Sequence, residues 1–131
     1  MEDRGGATLM VNVRYVVLVV EDEILLRLNA VETIRDMGYE VLEAASADEA
    51  IILLEARSDI SVLFTDINMP GSMDGIRLAT AVRGRWPPIK IIATSGQFQI
   101  EEGDLPDGGR FLSKPYSSAQ IIDTLREMMN A

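Results

Sequence analysis

The first apolar run of the chain is Tyr15-Val16-Val17-Leu18-Val19-Val20, bounded by charge on both sides. A short β-branched run without polar alternation predicts a strand buried on both faces, as in a parallel sheet. From Glu23 the period changes. Ile24, Leu28, Val31, Ile34 and Met37 recur every three or four residues, and Gly38 offers a stop, so an amphipathic helix is expected. Residues 39–44 read as a second strand, whose Glu40 and Glu43 suit a sheet edge. Ser46 and Glu49 form a capping box ahead of Ala50, Ile51, Leu53 and Leu54, which starts a second helix. The alternation continues with a strand over Ser61–Thr65 and a helix from about Asp74 to Trp86, ended by Pro87 and Pro88. A strand over Ile89–Thr94 follows. Phe111 and Leu112 mark a fifth short strand, and Ser117 with Gln120 caps a last helix through Ile121, Ile122, Leu125, Met128 and Met129.

Two stretches break the rhythm. Residues 1–12 have no period and predict a flexible arm before a single folded unit over 13–131. Residues 97–109 are acidic, with Gly103, Gly108, Gly109 and Pro106, so any helix there is expected to be short or mobile. Strands alternating with helices give an α/β class with a parallel sheet and right-handed crossovers. The single Trp86 is expected to close a helix over the core, and Met128 with Met129 to be partly exposed.

Composition narrows the chemistry. The 131 residues suffice for one core, and the formal charge of −9, from 21 acidic against 12 basic side chains, disfavours nucleic acid and anionic membrane as partners. The chain has neither Cys nor His, which excludes disulfides, thiolate or imidazole metal sites, Ser-His-Asp catalysis and a phosphohistidine of its own. No uncharged apolar run approaches the roughly 18 residues of a membrane span, and the expected location is cytoplasmic.

In open parallel sheets, ligands sit beyond the carboxyl ends of the strands. Glu21, Asp22 and Glu23 follow the first strand, Asp66 the third, Thr94 and Ser95 the fourth, and Lys114-Pro115 the fifth. Hard oxygen donors with positions left for water suit Mg²⁺, the cofactor expected here. A carboxylate can attack phosphorus to form an aspartyl phosphate; Asp66, between metal and Lys114, is the candidate, with Thr94 and Lys114 placed to bond phosphoryl oxygens. Each piece alone has a plainer reading: helix-start carboxylates, an Asp-x-Asn turn, a β-favouring Thr, a core Phe. Four strand ends converging on one rim outweigh those readings, and Lys114 is one of only two lysines, the other being Lys90.

The segments Leu18-Val19-Val20-Glu21-Asp22-Glu23, Thr65-Asp66-Ile67-Asn68-Met69-Pro70-Gly71 with Asp74-Gly75, Thr94-Ser95-Gly96 and Phe111-Leu112-Ser113-Lys114-Pro115 together resemble the receiver domain of two-component response regulators, over residues 14–130. The resemblance implies a doubly wound five-stranded parallel sheet of flavodoxin-like strand order 2-1-3-4-5. It implies that Asp66 is the phosphoacceptor, Asp22 a direct Mg²⁺ ligand, Glu21 a ligand through water, and the Asn68 backbone carbonyl a further ligand. Thr94 would swing toward the phosphoryl group, Lys114 would pair with it, Phe111 would change rotamer, and Lys114-Pro115 would be cis.

Three features depart from the family pattern: one extra residue in Gly71-Ser72-Met73-Asp74, Ser95 where a smaller residue is usual, and the irregular 97–109 segment. The function expected is a stand-alone switch that catalyses only its own phosphoryl transfer and loss, not an enzyme. It would take phosphate from a histidine kinase or histidine phosphotransfer protein. It would act on a downstream protein or relay, as a monomer or a phosphorylation-dependent homodimer, with no output domain. The competing readings are a Mg²⁺-dependent phosphohydrolase and a receiver-like binding module that works without phosphorylation. Dehalogenase-like phosphatases carry an acid/base Asp two residues after the nucleophile, where this chain has Asn68. A nucleotide-binding fold would need a Gly-rich turn where the Glu21 triplet stands.

Overall fold

The computed structural model describes residues 14–69, 74–96, 105–106 and 108–130. The expected arm over 1–12, the extra residue near Ser72 and most of the 97–109 segment lie outside the described residues. In chain order the elements are β1 (Val16–Val20), α1 (Ile24–Asp36), β2 (Glu40–Ala44), α2 (Ala47–Ala56), β3 (Val62–Asp66), α3 (Gly75–Arg85), β4 (Lys90–Ser95), β5 (Arg110–Ser113) and α4 (Ser118–Asn130). The strands form one parallel sheet ordered β2-β1-β3-β4-β5, the expected 2-1-3-4-5.

Why this order follows from the residues is clearest at the centre. Every residue of β1 and of β3 is buried, as a strand covered on both faces requires. Alternate side chains feed two cores. Leu18, Val20 and Leu63 join Ala50 and Leu54 of α2 and Leu78 and Val82 of α3, while Val17, Val19 and Phe64 join Val31 and Ile34 of α1 and Ile121 and Leu125 of α4. β2, carrying Glu40 and Glu43, is indeed an edge. The sheet is thus fixed in register by burying both sides, and the register sets which side chains meet at its carboxyl end.

Both capping boxes form. Ser46 Oγ accepts from the Glu49 N–H at 3.2 Å, while Glu49 Oε1 accepts from the Ala45 N–H at 2.9 Å. Ser117 Oγ accepts from the Gln120 N–H at 3.1 Å, and Gln120 Oε1 returns a bond to the Ser117 N–H at 2.8 Å. Asp74 caps α3 by accepting from the Arg77 N–H at 2.8 Å.

Two expectations fail. Ile24 and Leu28, assigned to the buried stripe of α1, are 62% and 44% exposed, and Leu25 is 81% exposed; only Ala30, Val31 and Ile34 are buried on that helix. The inward stripe of α1 runs through Ala30, Val31 and Ile34, with Leu26 and Arg27 half-buried ahead of it, and Ile24, Leu25 and Leu28 face away from it. Of the two methionines expected to be partly exposed, Met129 is half-buried as expected, whereas Met128 is buried in the α1/α4 core.

Candidate functional site

The parallel register brings the tips of β1, β3, β4 and β5 to one rim. Asp66 pairs with Thr94 across β3 and β4, and Ser95 pairs with Ser113 across β4 and β5, one residue short of Lys114. Backbone bonds extend this knitting past the strands: the Ile67 N–H donates to the Thr94 carbonyl, and the Lys114 N–H to the Ser95 carbonyl, both at 2.9 Å. The Lys114-Pro115 bond is cis, as expected.

Four charged groups meet here. Lys114 Nζ lies 3.1 Å from Glu21 Oε1 and 3.2 Å from Asp66 Oδ2, so one ammonium serves two buried carboxylates. Asp22 completes the group: one oxygen from each of Glu21, Asp22 and Asp66 falls within 4.8 Å of the others. An open cleft of about 370 Å³ lies over them, lined also by Glu23, Leu26, Asn68 and Gly96. Gly96 lets the lysine stem lie close, because a Cβ there would stand 3.2 Å from Lys114 Cβ.

Electrostatics follow from burial. Taking the carboxylates out of water raises both Glu21 and Asp66 above their ordinary values, each further raised by a neighbouring carboxylate, and Lys114 only partly offsets this. Burial opposes the charge on Lys114, but Asp66 and Glu21 outweigh it and its affinity for the proton rises. Three carboxylates with one ammonium leave a negative site of hard oxygen donors, which matches the preference of a small divalent cation for oxygen ligands.

Thr94 and Phe111 take contrasting positions. The Thr94 side chain is fully buried, and among the described residues its hydroxyl has no hydrogen-bond partner. An unpaired buried hydroxyl costs about 1–3 kcal/mol, so an acceptor placed beside it would be bound favourably. Phe111 is half-buried against Ile67, Ala93 and Leu105, a small cluster at the β4/β5 edge separate from the two main cores. Asn68 donates its backbone N–H to Asp66 Oδ1 at 3.3 Å, and its carboxamide donates to Ser95 Oγ at 2.9 Å.

All the residues marked in the sequence, Glu21, Asp22, Asp66, Asn68, Thr94, Lys114 and Pro115, therefore gather at this rim, with Phe111 on the adjoining edge. Others were not anticipated. Arg27 Nη1 donates to the Glu21 carbonyl at 2.8 Å and its Nε contacts Glu43 Oε1 at 3.2 Å, which fixes the peptide from which Glu21 projects. Tyr116 packs edge-to-face on Phe64 with ring centroids 5.9 Å apart, and burial pushes its phenol up to about 12. With Leu26, Asn29 and Pro115 it lines a second, more apolar cleft of about 340 Å³ that shares Gly96 and Lys114 with the acidic one. No local pattern marks these residues; they become visible only once α1 is docked.

A family model for the response regulator receiver domain matches residues 17–126. The chain is 41% identical over 118 residues to the chemotaxis protein CheY1 of Helicobacter pylori, covering 86% of this chain and 94% of that protein. It is 38% identical over 117 residues to the sensor kinase CckA of Brucella abortus, covering 86% of this chain and 12% of the kinase. The chain spans between 12% and 54% of the length of several curated relatives it matches. Among solved structures, a response regulator receiver protein from Sinorhizobium medicae superposes with a TM-score of 0.82 at 31% identity, over 90% of this chain and 96% of that one. None of the described helices is long and apolar enough to cross a membrane.

Proposed function

The chain belongs to the response regulator receiver family of two-component signalling, and from that premise we propose that it is a phosphorylation switch whose phosphoacceptor is Asp66. The observation that carries the reading is the Asp66 carboxylate at the tip of β3, within 3.2 Å of Lys114 Nζ and paired in register with the unpartnered Thr94 hydroxyl. An Asp66 oxygen attacks the phosphorus of a phosphohistidine. The P–N bond breaks, the imidazole nitrogen keeps the electron pair and takes up a proton, and an acyl phosphate remains on the protein. Since the chain has no His, the donor is a separate histidine kinase, phosphotransfer protein or small phosphodonor.

Lys114 offsets the negative charge that Asp66 gains, and Thr94 finds in a phosphoryl oxygen the acceptor it lacks. Phe111 follows Thr94 by shifting within its shallow cluster, which changes the β4/β5 edge that a downstream protein reads. Glu21, Asp22, Asp66 and the Asn68 carbonyl would hold Mg²⁺, and the oxygen-only donor set fits it. When bound, the ion supplies positive charge against the phosphoryl oxygens. The protein is a stoichiometric acceptor: Asn68 has no proton to give as an acid, which argues against a phosphohydrolase turning over a separate ester. Ile24 and Leu25, exposed at the start of α1 next in sequence to Leu26 of both clefts, offer the donor protein an apolar surface.

The test is intact mass after incubation with a small phosphodonor, with and without Mg²⁺. The native chain is expected to gain one phosphoryl group only with Mg²⁺, and Asp66→Asn to gain none. A gain of the same size in the variant would move the acceptor elsewhere.

A further inference from the structure

We propose that Ser95 withholds the Asn68 carboxamide from the phosphoryl group and so lengthens the life of the aspartyl phosphate; this rests on Asp66 being the acceptor. The geometry begins with the alternation of β4. Asp66 and Thr94 are register partners and project on one face of the sheet, whereas Ser95, the next residue, projects on the other. Ser95 is 1% exposed, closes β4 in register with Ser113 of β5, and its backbone carbonyl is occupied by the Lys114 N–H at 2.9 Å. It is a fixed post.

Asn68 is the opposite: it lies beyond the end of β3, in the wall of the acidic cleft, outside any helix or strand. Its backbone N–H points to Asp66 Oδ1 at 3.3 Å, so its main chain stays near the acceptor, but the 2.9 Å bond to Ser95 Oγ draws its carboxamide toward the opposite side of β4. That bond takes one of the two carboxamide N–H donors and fixes the direction of the group; without it, the carboxamide of a residue two positions from Asp66 can turn its donors and its oxygen to hold water over the cleft.

Hydrolysis of the acyl phosphate needs such a water. Its oxygen forms a bond to phosphorus, the bond between phosphorus and the Asp66 oxygen breaks, the carboxylate leaves with the electron pair, and a water proton passes to solvent as inorganic phosphate departs. A carboxamide tied to Ser95 does not orient that water. A released one does, and supplies one hydrogen bond to the attacking oxygen.

The test is the decay of phosphorylated protein, followed by intact mass in native chain, Ser95→Ala, Asn68→Ala and the double variant. Ser95→Ala is expected to shorten the half-life about threefold to tenfold, the rate equivalent of one neutral hydrogen bond. Asn68→Ala should not show that shortening, and the double variant should decay as Asn68→Ala does. Equal shortening by Ser95→Ala in both backgrounds would mean that Ser95 acts through its own bulk, and no change in the single variant would also overturn the proposal. Exchange of the Asn68 carboxamide protons, measured by NMR without phosphodonor, reads the tie itself and should quicken in Ser95→Ala; unchanged exchange would refute the tie. Failure of the native chain to take up phosphate while exchange quickens would locate the error in the acceptor assignment.

Discussion

The two ends of the sheet solve the problem of charge in opposite ways. At the amino end, where α2, α3 and α4 finish, arginines meet carboxylates in exposed pairs: Arg57 with Asp59 and Glu40 at 2.7 and 3.0 Å, Arg85 with Glu55 at 2.9 Å, and Arg110 with Glu127 at 2.9 Å. The Arg57 fork holds the Asp59 carboxyl below its usual range, and arginines in the last turn of α3 complement the helix dipole. At the carboxyl end three carboxylates crowd together and one lysine pairs with two of them, those two are buried with raised proton affinity, and a buried hydroxyl has no partner among the described residues. One end is electrostatically settled and the other is left wanting a cation and an anion. That imbalance, rather than any single residue, locates the chemistry.

The harshest way to break the comparison is at Gly75. A Cβ there would collide with the Asp66 carbonyl oxygen and stand 2.7 Å from Ile67 Cα, both rigid backbone. Gly75→Ala must push the start of α3 off the tip of β3 and is expected to destabilise by about 3 kcal/mol in urea unfolding, at the end of the overpacking range. At the amino end the described glycines are less constrained: Gly84 has open space around it, Gly38 has space but a φ of +96°, and a Cβ on Gly109 would stand 3.0 Å from the Pro106 carbonyl oxygen.

A gentler test uses pH. Because burial raises the Asp66 carboxyl in the folded state, its stabilising contribution is complete below its unfolded value of 3.8 and is lost as pH rises through the folded value. Asp66→Asn removes that loss, so the variant should melt above the native chain at neutral pH, by about 4 °C for each kcal/mol relieved. The difference should shrink as pH falls toward 4 and vanish below it. A variant that melted below the native chain at neutral pH, by a deficit that closed on acidification, would mean that Asp66 is held by favourable pairing, as at the other end.

The smallest effect sharpens the contrast. Arg85 pairs with Glu55, both about half exposed, and its guanidinium stacks 4.3 Å from the Trp86 ring centroid. Arg85→Ala should cost only about 0.5 kcal/mol in the same unfolding assay and leave phosphoryl uptake unchanged.

The fold was legible wherever a local rule applied. The β1 run, the Ser46/Glu49 and Ser117/Gln120 boxes and the edge character of β2 are statements about neighbours in sequence, and each is met. The site was legible because a parallel sheet delivers every strand tip to the same rim. What escaped depends on distance in sequence. Ile24 and Leu28 keep the helical period but lie off the stripe of Ala30, Val31 and Ile34 that α1 buries, so period alone assigned them to the wrong side. The Asn68 to Ser95 bond and the grip of Arg27 on the Glu21 carbonyl join separate elements and leave no trace in spacing.

Trp86, the only tryptophan, caps α3 at the amino end and packs on the α2/α3 core, across the sheet from the acidic cleft. Its indole emission is therefore a gauge of whether the chain is folded and stays silent when the cleft fills. Fluorescence titration with Mg²⁺ or a phosphodonor should leave the spectrum flat while denaturant moves it. A response to either ligand would show that a signal crosses the whole length of the strands.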